Sequence, residues 1–175
     1  KLTEDLVEAS KASTGNLACT LEPTDVNVLL NQVLGEYEGR LEAGGLEPIL
    51  TADPAEPKIL ADGRLLWRVF DNLLSNICKY AMPGTRVYLS SAAENGKVTI
   101  CFKNISRYAL NISADELMER FVRGDSSRST EGSGLGLSIA QSLTSLQKGQ
   151  FVLSVDGDLF KASVVFDLLS HSASE

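Results

Sequence analysis

Residues 132–138 read Gly-Ser-Gly-Leu-Gly-Leu-Ser, and Leu135, Leu137, Ile139, Ala140 and Leu143 form an apolar run at helical spacing. Glycine at alternate positions removes the β-carbons that would hold a phosphate chain off the backbone. The first N–H groups of a helix have no partner within it and make a ready anion site. Alone, the stretch also fits a flexible loop ahead of a core helix. Two segments upstream shift the balance: DNLLSNICKY at 71–80 and ERFVRGD at 119–125.

Asp62 is placed to cap a helix that carries Leu66, Val69, Phe70, Leu73 and Ile77 on one face and ends at Pro83-Gly84. At about 100° per residue, Asn72, Asn76 and Lys79 fall in one stripe beside that face. Two amides one turn apart can offer oxygens to a small hard cation such as Mg²⁺, which keeps most of its waters and shares phosphate oxygens. Lys79 adds positive charge. Asparagine is a poor helix former, so ligation gives two of them in mid-helix a reason, although a solvated helix flank accounts for them equally well.

Between the two segments and the glycine run lies a polar stretch, Val122 to Gly132, with Arg120, Arg123 and Arg128 spaced through and beside it. Such a segment can close over a ligand as a lid, and guanidinium groups match phosphate oxygens. Surface arginines balancing local acids are the plainer reading for Arg120 and Arg128. No GxxxxGK[ST] occurs and no GxGxxG opens a helix after a first strand, so P-loop and Rossmann readings fail. The one histidine, His171, lies in the C-terminal tail, which leaves a serine or cysteine hydrolase without support, and Trp67 reads as core packing.

The chain has 175 residues, 43% of them hydrophobic, enough for one well-buried core and too few for two large ones. A net charge of −7 argues against nucleic acid and against an anionic membrane surface. Cys19, Cys78 and Cys101 form no CxxC pair, so neither a disulfide framework nor a zinc site is expected, and a reducing cytosol fits. No run of 18 apolar residues is present. The chain opens at Lys1 inside a helical pattern (Leu2, Leu6, Ala9, Ser13, Leu17) that breaks at Gly15, as a piece of something longer would.

Further along, a short extended stretch is expected at Cys19–Pro23, and a helix capped by Asp25 through Val26, Leu29, Leu30, Val33, Leu34 and Tyr37 to Gly44-Gly45. Short strands are expected at 46–52 and 58–61, and a hairpin over 86–92 and 97–104 turning on Asn95-Gly96. A short helix follows at 113–119, then the glycine helix to Leu146, and a last hairpin over 151–155 and 159–166 turns on Asp156-Gly157-Asp158. This mixture argues for an α+β fold, one sheet with helices on one face.

DNLLSNICKY, ERFVRGD and GSGLGLS, in this order and at these intervals, resemble the asparagine box, phenylalanine box and second glycine box of the sensor histidine kinase catalytic domain, a member of the GHKL ATPase superfamily. The resemblance covers nearly the whole chain and implies a two-layer, Bergerat-type α/β sandwich built on a mixed sheet. It divides the chain into the end of the second helix of a dimerisation and phosphotransfer domain (1–18), a catalytic ATP-binding domain (19–169) and a loose tail (170–175).

The resemblance further implies ATP and Mg²⁺ as ligands, with Asn76 on the metal and Asn72 beside metal and phosphates. Lys79 and Arg123 would touch phosphate and act in catalysis, Tyr80 would lie near the nucleotide, and Phe121 would anchor the lid. Gly132, Gly134, Leu135, Gly136 and Leu137 would wrap the phosphates. The implied reaction moves the γ-phosphoryl group of ATP to a histidine of a phosphotransfer domain, mainly by placement and charge neutralisation. The implied partners are that domain and a response regulator, with a homodimeric parent held in the cell membrane and this domain in the cytoplasm.

One element departs from the family pattern. Where a first glycine box of the form DxGxG is usual, its aspartate accepting from the adenine amino group, this chain has Asn104, Ser106 and Tyr108. Hydrogen bonds to charged groups contribute about 1.5–3 kcal/mol against about 0.5–1.5 for neutral ones, so weakened ATP binding is expected. With no histidine in the opening helix, the phosphoacceptor is expected upstream of Lys1. The chain should then fail to label itself and yet phosphorylate a supplied phosphotransfer domain. The alternative is a degenerate member that serves as an interaction module. Another GHKL ATPase, such as an anti-sigma kinase or a heat-shock-type chaperone, fits the ERFVRGD segment and short lid less well.

Overall fold

The computed structural model describes residues 14–110, 113–123 and 136–170, together with 4, 7, 10 and 11, with side chains of 120–123 excepted. Its elements are β1 (Glu22–Asp25), α1 (Val26–Ala43), β2 (Glu47–Thr51), β3 (Lys58–Ala61), α2 (Gly63–Tyr80), β4 (Arg86–Glu94), β5 (Lys97–Ile105), α3 (Ala114–Arg123), α4 (Gly136–Leu146), β6 (Gln150–Asp156) and β7 (Leu159–Asp167). Residues 4, 7, 10 and 11 are helical. No helix of the described residues is long and apolar enough to cross a membrane.

Five strands form the main sheet in the order β2-β4-β5-β7-β6. β2 runs parallel to β4 and every other pairing is antiparallel. β1 and β3 make a separate antiparallel pair. Turn chemistry sets the hairpins: Asn95 (φ 52°) and Gly96 (φ 74°) are both left-handed between β4 and β5, as a tight two-residue turn requires.

Helix starts follow their caps. The Asp25 carboxylate accepts from the Val28 N–H (3.1 Å) at the head of α1, and Val26, Leu30, Val33, Tyr37 and Leu41 then return to one buried face every three or four residues. Asp62 accepts from the Arg64 N–H (3.1 Å) and Leu65 N–H (3.3 Å) at the head of α2. On α2, Leu65, Leu66, Val69, Phe70, Leu73, Leu74 and Ile77 are buried. On β5, Val98, Ile100, Phe102 and Asn104 alternate along the buried face, where the Phe102 ring lies 5.4 Å from that of Phe70.

Two boundaries differ from expectation by more than two residues. The first strand starts at Glu22 rather than Cys19, because pairing with β3 begins at Glu22 opposite Ala61. The helix expected at 113–119 continues to Arg123. Ser113 caps it by accepting from the Glu116 N–H (3.2 Å), and Leu117 and Met118 pack against the core, so tertiary contact prolongs a helix whose sequence is mostly polar. Phe121 and Arg123 thus belong to the end of a helix. The lid stretch 124–132, Arg128, Gly132, Gly134, Leu135 and His171 lie outside the described residues.

Candidate nucleotide site

The asparagine stripe of α2 and the glycine start of α4 meet. A β-carbon on Gly136, the first residue of α4, would stand 3.8 Å from Asn72 Oδ1 and 4.0 Å from the Asn72 carbonyl oxygen. The Asn72 side-chain amide donates to the Arg68 carbonyl one turn back (3.0 Å), which leaves its oxygen turned toward that helix start. The first turn of α4, with its positive dipole end, thus lies against an amide acceptor.

Asn76, one turn further along α2, is half-buried, Lys79 is exposed and Tyr80 is half-buried. Leu137 is fully buried in the core, so what it can offer a ligand is its backbone N–H in the first turn of α4. Among the described residues no group of three or more His, Cys, Asp or Glu side chains could hold a metal ion. Mg²⁺ bound through one or two protein oxygens, phosphate and water needs no such group.

The end of α2 is tied to the end of β5. The Met82 N–H donates to the Ile105 carbonyl (2.8 Å), the Arg107 N–H donates to the Tyr80 carbonyl (2.7 Å), and Ala81 bridges Ser106. This brings Asn104, on the helix-facing side of β5, to the same end of the fold as Asn76 and Tyr80. Asn104 is 3% exposed, and its Oδ1 is buried with no hydrogen-bond partner. Such an orphaned acceptor is uncommon in a folded protein and fits a place that a ligand donor completes. The Ser106 N–H donates to the Asp158 carbonyl (2.7 Å) and Ser106 Oγ accepts from the Tyr108 N–H (3.2 Å). Neither Ser106 nor Tyr108 has a positive φ, so the backbone here does not require glycine.

The family model for the histidine kinase-, DNA gyrase B-, and HSP90-like ATPases matches residues 61–169, a span that holds both helices and Asn104. The chain belongs to this ATPase family. Its curated relatives include the probable sensor protein PcoS of Escherichia coli, 28% identical over 171 residues (95% of this chain, 36% of PcoS). The histidine-protein kinase BaeS of Escherichia coli K12 is 29% identical over 154 residues, covering 87% of this chain and 33% of BaeS. The chain therefore spans about a third of the length of these relatives.

Among solved structures, the Acinetobacter baumannii histidine kinase AdeS superposes with a TM-score of 0.77 at 20% identity, over 96% of this chain and 77% of AdeS. Full-length ShkA in complex with AMPPNP gives 0.80 at 24% identity, over 98% of this chain and 36% of ShkA. At these identities the likeness is one of fold: the ATPase family's mixed sheet with helices on one face.

Sequence reasoning missed one polar junction behind the site of this ATPase domain. Asp62 Oδ2 also accepts from the Thr20 N–H (3.1 Å), and the Asp62 N–H donates to Gln147 Oε1 (3.0 Å). Gln147, 1% exposed, in turn donates to the Leu143 carbonyl (2.9 Å). The incoming chain and the head of α2 thus converge on the Asp62 carboxylate, and the tail of α4 on its backbone N–H. Asp62 was legible only as a helix cap. Nothing local marks Gln147, whose partner is 85 residues away.

Proposed function

We propose that this chain is the ATP-binding catalytic domain of a two-component sensor histidine kinase, which transfers the γ-phosphoryl group of Mg-ATP to a histidine on a phosphotransfer domain. The observation that carries the reading is the meeting of Gly136 with Asn72. It sets the first turn of one helix against an amide acceptor on another, the two kinds of group that a triphosphate with its cation would engage. That PcoS is named a probable sensor protein and BaeS a signal transduction histidine-protein kinase, and that ShkA was solved with AMPPNP, supports it.

In this reading Asn76 holds Mg²⁺, with Asn72 beside it, and the metal would supply charge neutralisation at the phosphates. Lys79 and Arg123 meet phosphate oxygens, Tyr80 borders the nucleotide, Phe121 anchors the lid, and Gly132, Gly134, Leu135, Gly136 and Leu137 offer backbone N–H groups. Asn104 faces the base. Residues 1–18 form the end of a phosphotransfer-domain helix, 19–169 the catalytic domain and 170–175 a tail. The partners are that phosphotransfer domain and a response regulator, and the parent is a membrane-anchored homodimer with this domain in the cytoplasm. The interaction-module alternative gains no observation of its own.

The test is transfer from γ-labelled ATP in the presence of Mg²⁺ to a supplied phosphotransfer domain. The expected result is label on that domain and none on this chain alone. Asn76→Ala should lower transfer by about a hundredfold or more, the scale seen when a group that stabilises transition-state charge is removed. Label on this chain incubated alone would overturn the placement of the phosphoacceptor. Absence of binding heat at millimolar ATP would overturn the function.

A further inference from the structure

Asn104 brings to the end of β5 a side chain whose oxygen the fold itself leaves unpaired. It shares the helix-facing side of the strand with Val98, Ile100 and Phe102, all buried and apolar. Two residues later the chain is pinned to the end of α2 through Ser106 and Ala81. The amide therefore sits at the end of a mostly apolar sheet face, held on a strand bonded on its β7 side through Phe160. A flat ligand edge carrying hydrogen-bonding groups would match an unpartnered amide in apolar surroundings.

The chemistry of an amide decides which edges it accepts. A carboxylate at this place offers acceptors only, so it pairs with the 6-amino group of adenine and opposes the 6-oxo group of guanine or hypoxanthine. An amide offers one acceptor and two donors, and rotation by 180° about χ2 exchanges its two ends. Against adenine, Oδ1 accepts from the 6-amino group while Nδ2 donates to N1. Against a 6-oxo purine, Nδ2 donates to O6 while Oδ1 accepts from N1–H. Both pairings satisfy the buried oxygen.

We propose that Asn104 gives this site a relaxed choice of purine, so that 6-oxo purine nucleoside triphosphates bind alongside ATP, with Asn104 as the residue that sets specificity. This rests on the nucleotide reading above. The absence of charge on Asn104 removes the repulsion that excludes a 6-oxo group, and the two-faced amide replaces it with a hydrogen bond.

The experiment is calorimetric or competitive titration of the full chain, with Mg²⁺, against ATP, ITP, GTP and CTP. ITP carries the 6-oxo group without guanine's 2-amino group and so isolates the contact in question. Wild type should bind ATP and ITP with dissociation constants within about tenfold of each other, the scale of one neutral hydrogen bond, and CTP more weakly than either. Asn104→Asp should widen the preference for ATP over ITP by about tenfold or more. Asn104→Leu, which fills the same space without polar atoms, should weaken ATP and ITP together.

The wild-type ratio decides the matter even if the aspartate variant fails to fold. Rejection of ITP and GTP by wild type at the level that Asn104→Asp shows, or by more than about a hundredfold where that variant is unavailable, overturns the proposal. If wild type binds no purine triphosphate while Asn104→Asp binds ATP, relaxed choice is refuted and the nucleotide reading stands. If neither protein binds any nucleotide, both fall.

Discussion

Gly149→Ala should destabilise the domain although the backbone there suits alanine. Gly149 does not occupy the left-handed region, so on conformational grounds alone the substitution would stabilise by about 0.4–1 kcal/mol. Packing opposes it. A β-carbon at this position would stand 2.7 Å from Cε1 and Cζ of Phe166 and 3.0 Å from Cγ2 of Thr144, the closer pair about 0.7 Å inside ordinary contact. Phe166 is a rigid ring, 3% exposed, on a strand paired to Val98, and Thr144 is fully buried, so relief requires movement of the sheet or of α4.

Overpacking of this kind costs about 1–3 kcal/mol, which exceeds the conformational gain. The net loss is about 1–2 kcal/mol, and at about 2–4 °C per kcal/mol for a chain of this size the melting temperature should fall by about 2–8 °C. Gly39→Ala is the matched control: it lies inside α1 with nothing within 4 Å of its β-carbon position, and it should stabilise by about 0.5–1 kcal/mol. Thermal and urea unfolding of both variants beside wild type measures the pair. A Gly149→Ala protein as stable as wild type, or two variants shifted in the same direction, would refute the packing argument.

Tyr37→Phe tests the joint between α1 and α2. The Tyr37 hydroxyl donates to Asp71 Oδ1 (2.5 Å) and lies 3.0 Å from the Asp71 carbonyl oxygen, and burial, followed by the Asp71 hydrogen bond, raises its pKa above the ordinary tyrosine value. The variant should lose about 1.5–3 kcal/mol at neutral pH, the scale of a hydrogen bond to a charged group. Because the folded state holds this proton more tightly, the stabilisation is complete below pH about 10 and declines as pH rises through the folded-state pKa. Urea midpoints of wild type and variant should therefore converge above pH about 10, and a constant difference would exclude this linkage. Asp62→Ala removes the cap of α2 together with the Thr20 contact. It should cost about 0.5–2 kcal/mol and speed amide exchange at Thr20, and unchanged exchange there would show that the chain entering β1 is held by other contacts.

Helices, hairpins and their ends were written locally. Asp25 and Asp62 sit one residue ahead of helices whose apolar residues are spaced three and four apart, and Asn95-Gly96 admits the two left-handed conformations its turn needs. Each depends on hydrogen bonds and sterics within a few residues, which is why the order of elements and the two motif helices could be read without coordinates. The length of α3 could not, because Leu117 and Met118 gain their stabilisation from a core assembled elsewhere.

What tertiary structure alone decided is which of these pieces face each other. The parallel pairing of β2 with β4, the approach of Gly136 to Asn72, the convergence of Thr20 and Gln147 on Asp62 and the unpaired oxygen of Asn104 join residues far apart in the chain. Periodicity carries a face for each helix and strand but no partner for it. The partner is chosen when the buried faces pack together at interior density, and only then does an asparagine on one helix acquire the first turn of another across from it.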